Sequence, residues 1–150
     1  MRAVLGRIEW FWLGLFLFTV SFFLVAVGGP GVLSPPARGY HCAFYAFALP
    51  MSDLLGRNYI SDAYQDSLLA FVSVLVSGWI NIVFAAALIA FLSRRRKLGS
   101  ALRWFVLAMV PFCWTSFWYE GLYPREGYLL WTAGMLLALF SARPRRVSGP

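Results

Sequence analysis

The sequence LLAFVSVLVSGWINIVFAAALIAFL, residues 68–92, decides the fold of this chain. It contains no charged side chain, and about 20 helical residues are enough to cross the hydrocarbon core of a bilayer. Ser73, Ser77 and Asn81 recur at every fourth position, which places them along one face of a helix. We therefore predict a membrane-spanning helix whose polar face contacts protein or a water-filled cavity, because lipid would leave the Asn81 amide without hydrogen bonds.

The composition of the whole chain is typical of a membrane protein. Of its 150 residues, 61% are hydrophobic and 13% are charged, and the mean hydropathy is +0.70. A soluble domain of this size needs more polar surface to cover its core. The formal net charge is +7, but the basic residues lie in clusters between apolar runs. This placement indicates a topology signal and no nucleic-acid partner.

The prediction is an all-α integral membrane protein that forms one four-helix domain over residues 1–150. We expect its four transmembrane helices at about residues 10–28, 68–92, 101–119 and 124–142. The alternative for the first run is a cleaved signal peptide, since Arg2 and Arg7 precede it. We expect it to be retained, because it is longer than the apolar region of such a peptide.

The distribution of basic residues predicts the orientation. Ten of the 13 Lys and Arg residues lie before the first helix, around the connection 93–100, or in the tail 143–150. The positive-inside rule places these segments and both termini in the cytoplasm, and residues 29–67 form a 39-residue outer loop. We expect a multi-pass protein of the plasma membrane, which is the inner membrane in a Gram-negative bacterium. A cytoplasmic basic cluster is also expected to attract anionic lipid headgroups: Arg94, Arg95, Arg96 and Lys97.

The outer loop contains an apolar segment, YHCAFYAFALP, residues 40–50, which is too short to span a bilayer. We expect it to be interfacial or re-entrant. It either caps the helices or forms a lid over a cavity that opens outward, with His41 and Cys42 as candidate lid residues. The chain has one histidine, and adjacent side chains point in different directions. We therefore predict no metal site and no cofactor.

The third predicted helix carries Pro111, Cys113 and Thr115. The proline removes a backbone hydrogen-bond donor and predicts a bend at this point. Cys113 falls in the outer half of the helix, where a disulfide with Cys42 is one alternative, provided that the two Cα atoms lie within about 7 Å. The other alternative is that both thiols fill apolar space.

Three functional hypotheses remain, because the sequence has no phosphate-binding or hydrolase motif and no ionisable residue in the middle of a span. The candidate packing seam or pocket comprises Ser73, Ser77, Asn81, Ala85, Cys113 and Thr115. The first hypothesis is an accessory, assembly or self-associating membrane subunit, not an enzyme, that forms a homo- or hetero-oligomer through this small-residue face. The second is a binding or transport module for a small apolar or zwitterionic ligand near Asn81. The third is a membrane enzyme that uses His41, Glu120 and Glu126 on a lipid-linked substrate.

Overall fold

The structure is a computed structural model, described here for residues 2–28, 36–57, 67–93, 95–120 and 122–142. Within these ranges the chain forms five helices, α1 (Arg2–Ser21), α2 (Gly39–Leu54), α3 (Leu68–Leu92), α4 (Arg96–Glu120) and α5 (Glu126–Ser141). Three short antiparallel strands form a small sheet in the order β2-β1-β3, and they are β1 (Val25–Gly28), β2 (Ala37–Arg38) and β3 (Tyr123–Pro124). The chain is mostly helical, as the sequence predicts.

Two of these helices contain a segment that is long and apolar enough to cross a membrane. The segments are Phe71–Leu92 in α3 and Lys97–Thr115 in α4. The apolar segments Glu9–Ser21 and Glu126–Ser141 are shorter. At about 1.5 Å per residue, a 16-residue helix such as α5 measures about 24 Å, which is less than the roughly 30 Å of a typical hydrocarbon core. Length and composition therefore identify two candidate spans among the described residues.

The first apolar run is not one helix over residues 10–28. Helix α1 ends at Ser21, whose hydroxyl donates to the carbonyl oxygen of Phe18 at 2.5 Å. The next amides bond to carbonyls three residues back, and the chain then enters β1. Val25 pairs with Arg38 of β2, and Val27 pairs with Pro124 of β3. Backbone pairing with distant segments therefore replaces the last two predicted helical turns.

The other predicted boundaries differ less. Helix α3 occupies residues 68–92 as predicted, whereas α4 begins at Arg96, so the predicted connection 93–100 is mostly helical. The apolar segment of the outer loop is a helix of 16 residues, α2, which extends beyond residues 40–50. Pro111 lies inside α4, which is a single helix from Arg96 to Glu120.

Four of the helices pack in two pairs, α1 with α5 and α3 with α4, while α2 packs mainly on α3. The α1–α5 pair is in backbone contact at Gly14 and Gly134. A Cβ atom at Gly134 would lie 2.5 Å from the amide nitrogen of Phe18 and 2.7 Å from the carbonyl oxygen of Gly14. Such close approach of backbones is the packing mode that small residues permit in membrane helices.

The sheet joins the C-terminal end of α1 to the N-terminal ends of α2 and α5. The Gly39 amide donates to the Leu24 carbonyl oxygen at 3.0 Å, and the Arg125 amide donates to the Ala26 carbonyl oxygen at 2.9 Å. These bonds hold α2 over one end of the helix pairs. The buried core between the pairs is formed by Ile80, Phe84, Ala87, Val106, Met109, Cys113, Trp131, Met135, Ala138 and Leu139.

Candidate functional site

A cavity of about 320 Å³ lies at the end of the helices that carries the sheet. Helix α2 and β1 cover it, and α3, α4 and α5 form its walls. Most of the described lining is apolar, with Phe22, Ala26, Leu49, Val74, Phe117 and Leu122 among the residues involved. The volume falls at the lower end of the range found for small-molecule sites, and such sites are mostly apolar with a few placed polar groups.

The first member of the predicted polar face contributes to helix packing. Ser73 is fully buried, and its hydroxyl lies 2.9 Å from that of Thr115, so that one hydroxyl donates to the other between α3 and α4. Both hydroxyls also lie 2.8 Å from backbone carbonyl oxygens of their own helices. Neither residue belongs to the described lining of the cavity. Ser73 and Thr115 therefore pair two helices.

Asn81 bridges α3 to α5 and also lines the cavity. The Nε1 group of Trp131 donates to Oδ1 of Asn81 at 2.9 Å, and both residues line the cavity. An indole N–H is only a donor, so its partner must be the carboxamide oxygen. This assignment leaves the amide nitrogen, Nδ2, on the other side of the carboxamide, where no described residue accepts from it. Asn81 thus presents two N–H donors in the cavity wall.

The other polar side chains of the described lining, apart from Tyr128, belong to Ser21, Cys42, Tyr45, Ser77 and Cys113. The Ser77 hydroxyl donates to the Ser73 carbonyl oxygen at 2.8 Å and also interacts with the sulfur of Cys113. Cys113 is 2% exposed, and Cys42 faces the cavity from α2. Both cysteines are thiols in the structure. They contribute to an apolar wall, which is the second of the two alternatives that the sequence leaves open.

Tyr128 stands at the centre of an aromatic cluster beside the cavity. Its ring stacks on Trp131 with centroids 5.0 Å apart, and it forms T-shaped contacts with Phe117 and Trp114, with centroids 4.5 and 5.2 Å apart. Its hydroxyl is fully buried and forms no hydrogen bond with any described residue. Buried polar groups normally have a partner, so this hydroxyl is a second polar group that the fold leaves unsatisfied.

The last predicted member of the polar face, Ala85, is exposed. A four-residue step on a helix of 3.6 residues per turn drifts by about 40°, so three steps from Ser73 rotate the position by about 120°. The buried face accordingly passes through Ile80, Phe84 and Ala87 instead. Ala85 lies off the seam, and the polar face ends at Asn81.

The remaining predicted residues lie apart from the cavity. His41 is exposed, its ring is 4.1 Å from that of Tyr40, and it does not belong to the described lining, so α2 covers the cavity with Cys42 and its apolar neighbours. In the basic cluster, Arg95 and Lys97 are exposed, whereas Arg94 lies outside the described residues. Glu126 is exposed beside Arg125, with Nε and Oε2 3.4 Å apart.

Two residues of the site, Trp131 and Tyr128, do not appear among the predicted site residues. They are three positions apart on α5, which places both on one helix face. Two amphipathic aromatic residues at this spacing were the feature of the sequence that could have identified them.

Comparison with known proteins finds no matching family model, no matching curated protein and no matching solved structure.

Proposed function

We propose that this chain is a four-span membrane protein that binds a small, largely apolar ligand in the cavity beneath α2. The observation that carries the proposal is the cavity itself: about 320 Å³ of space with a mostly apolar wall that includes the carboxamide of Asn81. A cavity with mostly apolar walls and few polar groups is the usual form of a ligand site.

The placement of apolar surface supports four spans. Helices α1 and α5 are in backbone contact at Gly14 and Gly134, and side chains of both helices pack in one core with those of α3 and α4. Large apolar side chains are exposed on all four helices, including Phe16, Ile89, Phe105 and Leu129. In a bilayer such side chains face lipid. The apolar segments of α1 and α5 are shorter than the hydrocarbon core, and a bilayer accommodates such segments by local thinning and by snorkelling of the flanking side chains.

The charge distribution supports cytoplasmic termini. With that orientation, the C-terminal end of α1 and the N-terminal end of α5 lie outside, so the sheet, α2 and the cavity face the outer side. The test uses Tyr123→Cys and Lys97→Cys, both at exposed positions, in a background where Cys42 and Cys113 are alanine. A membrane-impermeant maleimide should label Tyr123→Cys in intact cells and Lys97→Cys only after lysis. The reverse pattern would overturn the orientation.

The hydrogen bonds of the polar face favour a ligand site over an assembly seam. Ser73 bonds to Thr115, and the carboxamide oxygen of Asn81 bonds to Trp131, so these groups are occupied within one chain. Ala85, the exposed continuation of the face, has no polar group to offer. The amide N–H groups of Asn81 belong to a residue that lines the cavity, where a small molecule can contact them.

The binding experiment compares two Ala→Phe variants. Ala46→Phe adds a ring to a residue of α2 that lines the cavity, whereas Ala85→Phe adds the same ring on the exposed face of α3. After purification from native membranes in mild detergent, we expect mass spectrometry to find a small molecule retained by the natural chain and by Ala85→Phe, and lost from Ala46→Phe. Equal retention by both variants, each with an unchanged helical circular dichroism spectrum, would refute the proposal.

A further inference from the structure

We infer that the ligand is a neutral, apolar molecule that carries a hydrogen-bond acceptor, such as a carbonyl oxygen, and that the amide of Asn81 binds this acceptor. This inference rests on the proposed function and names the chemical class of its ligand. It follows from the absence of charge in the described lining, the direction of the available hydrogen bonds, and the aromatic surface beside them.

The described lining of the cavity contains no Asp, Glu, Lys, Arg or His. An ionic group moved from water into such a site would have no oppositely charged partner, and burying an unpaired charge is strongly unfavourable. This excludes a zwitterionic ligand that buries its charges in the cavity. Of the two ligand classes expected from the sequence, the apolar one fits this wall.

The fold fixes the hydrogen-bond direction of Asn81 in the cavity wall. Trp131 occupies the carboxamide oxygen of Asn81 and leaves its two N–H bonds available as donors. The hydroxyl of Tyr128 has almost no accessible surface, so Tyr128 lines the cavity with its ring. The Ser77 hydroxyl already donates to the Ser73 carbonyl oxygen. A ligand that supplied an acceptor would satisfy donors that the fold leaves unsatisfied, whereas a pure hydrocarbon would leave them so.

The wall beside these donors is aromatic. Phe117, Tyr128 and Trp131 all line the cavity and are in mutual ring contact through Tyr128. This surface suits an apolar body that is flat or flexible and carries a carbonyl group. Two kinds of membrane-soluble molecule share that chemistry, the ring carbonyl of a quinone and the ester carbonyl of a lipid. The experiment has one arm for each.

The experiment compares molecules that differ in the carbonyl groups. Isothermal titration calorimetry on the delipidated full-length chain in detergent compares 2-methyl-1,4-naphthoquinone with 2-methylnaphthalene, and methyl decanoate with undecane. In at least one pair we expect the carbonyl compound to bind about tenfold more tightly, which corresponds to one well-placed hydrogen bond. The pair with the larger ratio identifies the source. Asn81→Leu removes the donors and Trp131→Phe releases the carboxamide of Asn81, so both should lower the ratio, and Ala85→Leu should leave it unchanged.

The possible failures are distinguishable. If carbonyl compounds and hydrocarbons bind the natural chain equally well and Ala46→Phe abolishes both, the acceptor inference is wrong and the proposed function stands. If the natural chain binds neither class, the proposed function itself is wrong. Trp131→Phe keeps an aromatic ring in the cavity wall, so it tests the inference even where Asn81→Leu fails to fold. A tenfold ratio that persists in Trp131→Phe and in folded Asn81→Leu refutes the role of the Asn81 amide.

Discussion

Alanine at Gly134 should destabilise the folded chain by about 1–3 kcal/mol relative to alanine at Gly99, the usual range for overpacking. The new methyl group would lie 2.5 Å from the Phe18 amide nitrogen and 2.7 Å from the Gly14 carbonyl oxygen, whereas ordinary contacts begin at 3.4 Å. These are backbone atoms of α1, and no side-chain rotation removes them. Helices α1 and α5 must separate by about 1 Å and lose packing along their contact.

Gly99 is the matched control for this substitution. The three atoms nearest to a Cβ atom at Gly99 belong to the ring of Phe91, the closest at 2.9 Å, and a side chain moves more easily than a helix backbone. Both glycines lie within helices. Replacing either one therefore gains a similar helix propensity of about 1 kcal/mol, and this gain cancels in the comparison. The difference between the two variants reports the α1–α5 contact.

The assay is reversible unfolding in mixed micelles, in which increasing fractions of SDS in a mild detergent are followed by circular dichroism. Gly134→Ala should unfold at a lower SDS fraction than Gly99→Ala. Gly14→Ala, on the opposite side of the same contact, should behave like Gly134→Ala. The double variant should lose less than the sum, because the first methyl group has already separated the helices. Equal stability of Gly134→Ala and Gly99→Ala would refute backbone contact between α1 and α5.

Three further predictions concern the polar contacts. In a double-mutant cycle, Asn81→Leu and Trp131→Phe should show a coupling energy of about 0.6–1.7 kcal/mol, and additive effects would contradict the hydrogen bond between α3 and α5. Thr115→Val keeps the shape of the side chain and should cost about 0.6 kcal/mol, a loss that disappears when Ser73 is already alanine. Tyr128→Phe should raise the unfolding free energy of the ligand-free chain by about 1 kcal/mol, because it removes a buried hydroxyl with no described partner. A loss of stability in that variant would show that the hydroxyl has a partner in the fold.

The sequence predicts α3 well and the end of α1 poorly, for one physical reason. Residues 68–92 are uncharged throughout, and the helix has the same bounds. Residues 10–28 are also uncharged, but hydrophobicity does not distinguish a helical turn from a buried strand. The strand at Val25–Gly28 depends on pairing with Arg38 and with Pro124, the latter almost a hundred residues away. Local pattern carries no information about those partners.

The same limit applies to the candidate site. Spacing along α3 and α4 predicts Ser77, Asn81 and Cys113 as one group, and the structure places all three in the lining of one cavity. Spacing does not identify Trp131, because the bond from its indole to Asn81 joins residues 50 positions apart. The four-residue spacing also groups Ala85 with the polar face, although Ala85 is exposed. Each four-residue step rotates the position by about 40° around the helix, and the spacing argument does not account for this rotation. Contacts between helices, rather than the pattern within one helix, determine which polar residues form the site.

The Asn81–Trp131 hydrogen bond connects stability to binding. Two close-packed pairs, α1–α5 and α3–α4, meet through this bond and through the Phe18–Phe84 ring contact at 4.7 Å. The same bond orients the amide donors of Asn81 in the cavity wall. Substitutions at Asn81 should therefore reduce stability and ligand affinity together. Substitution at Ala46, which lines the cavity from α2 and takes no part in joining the pairs, should reduce affinity with a smaller effect on stability. If Ala46→Phe and Asn81→Leu lowered the unfolding free energy by similar amounts, α2 would be as essential to the fold as the contact between the two helix pairs.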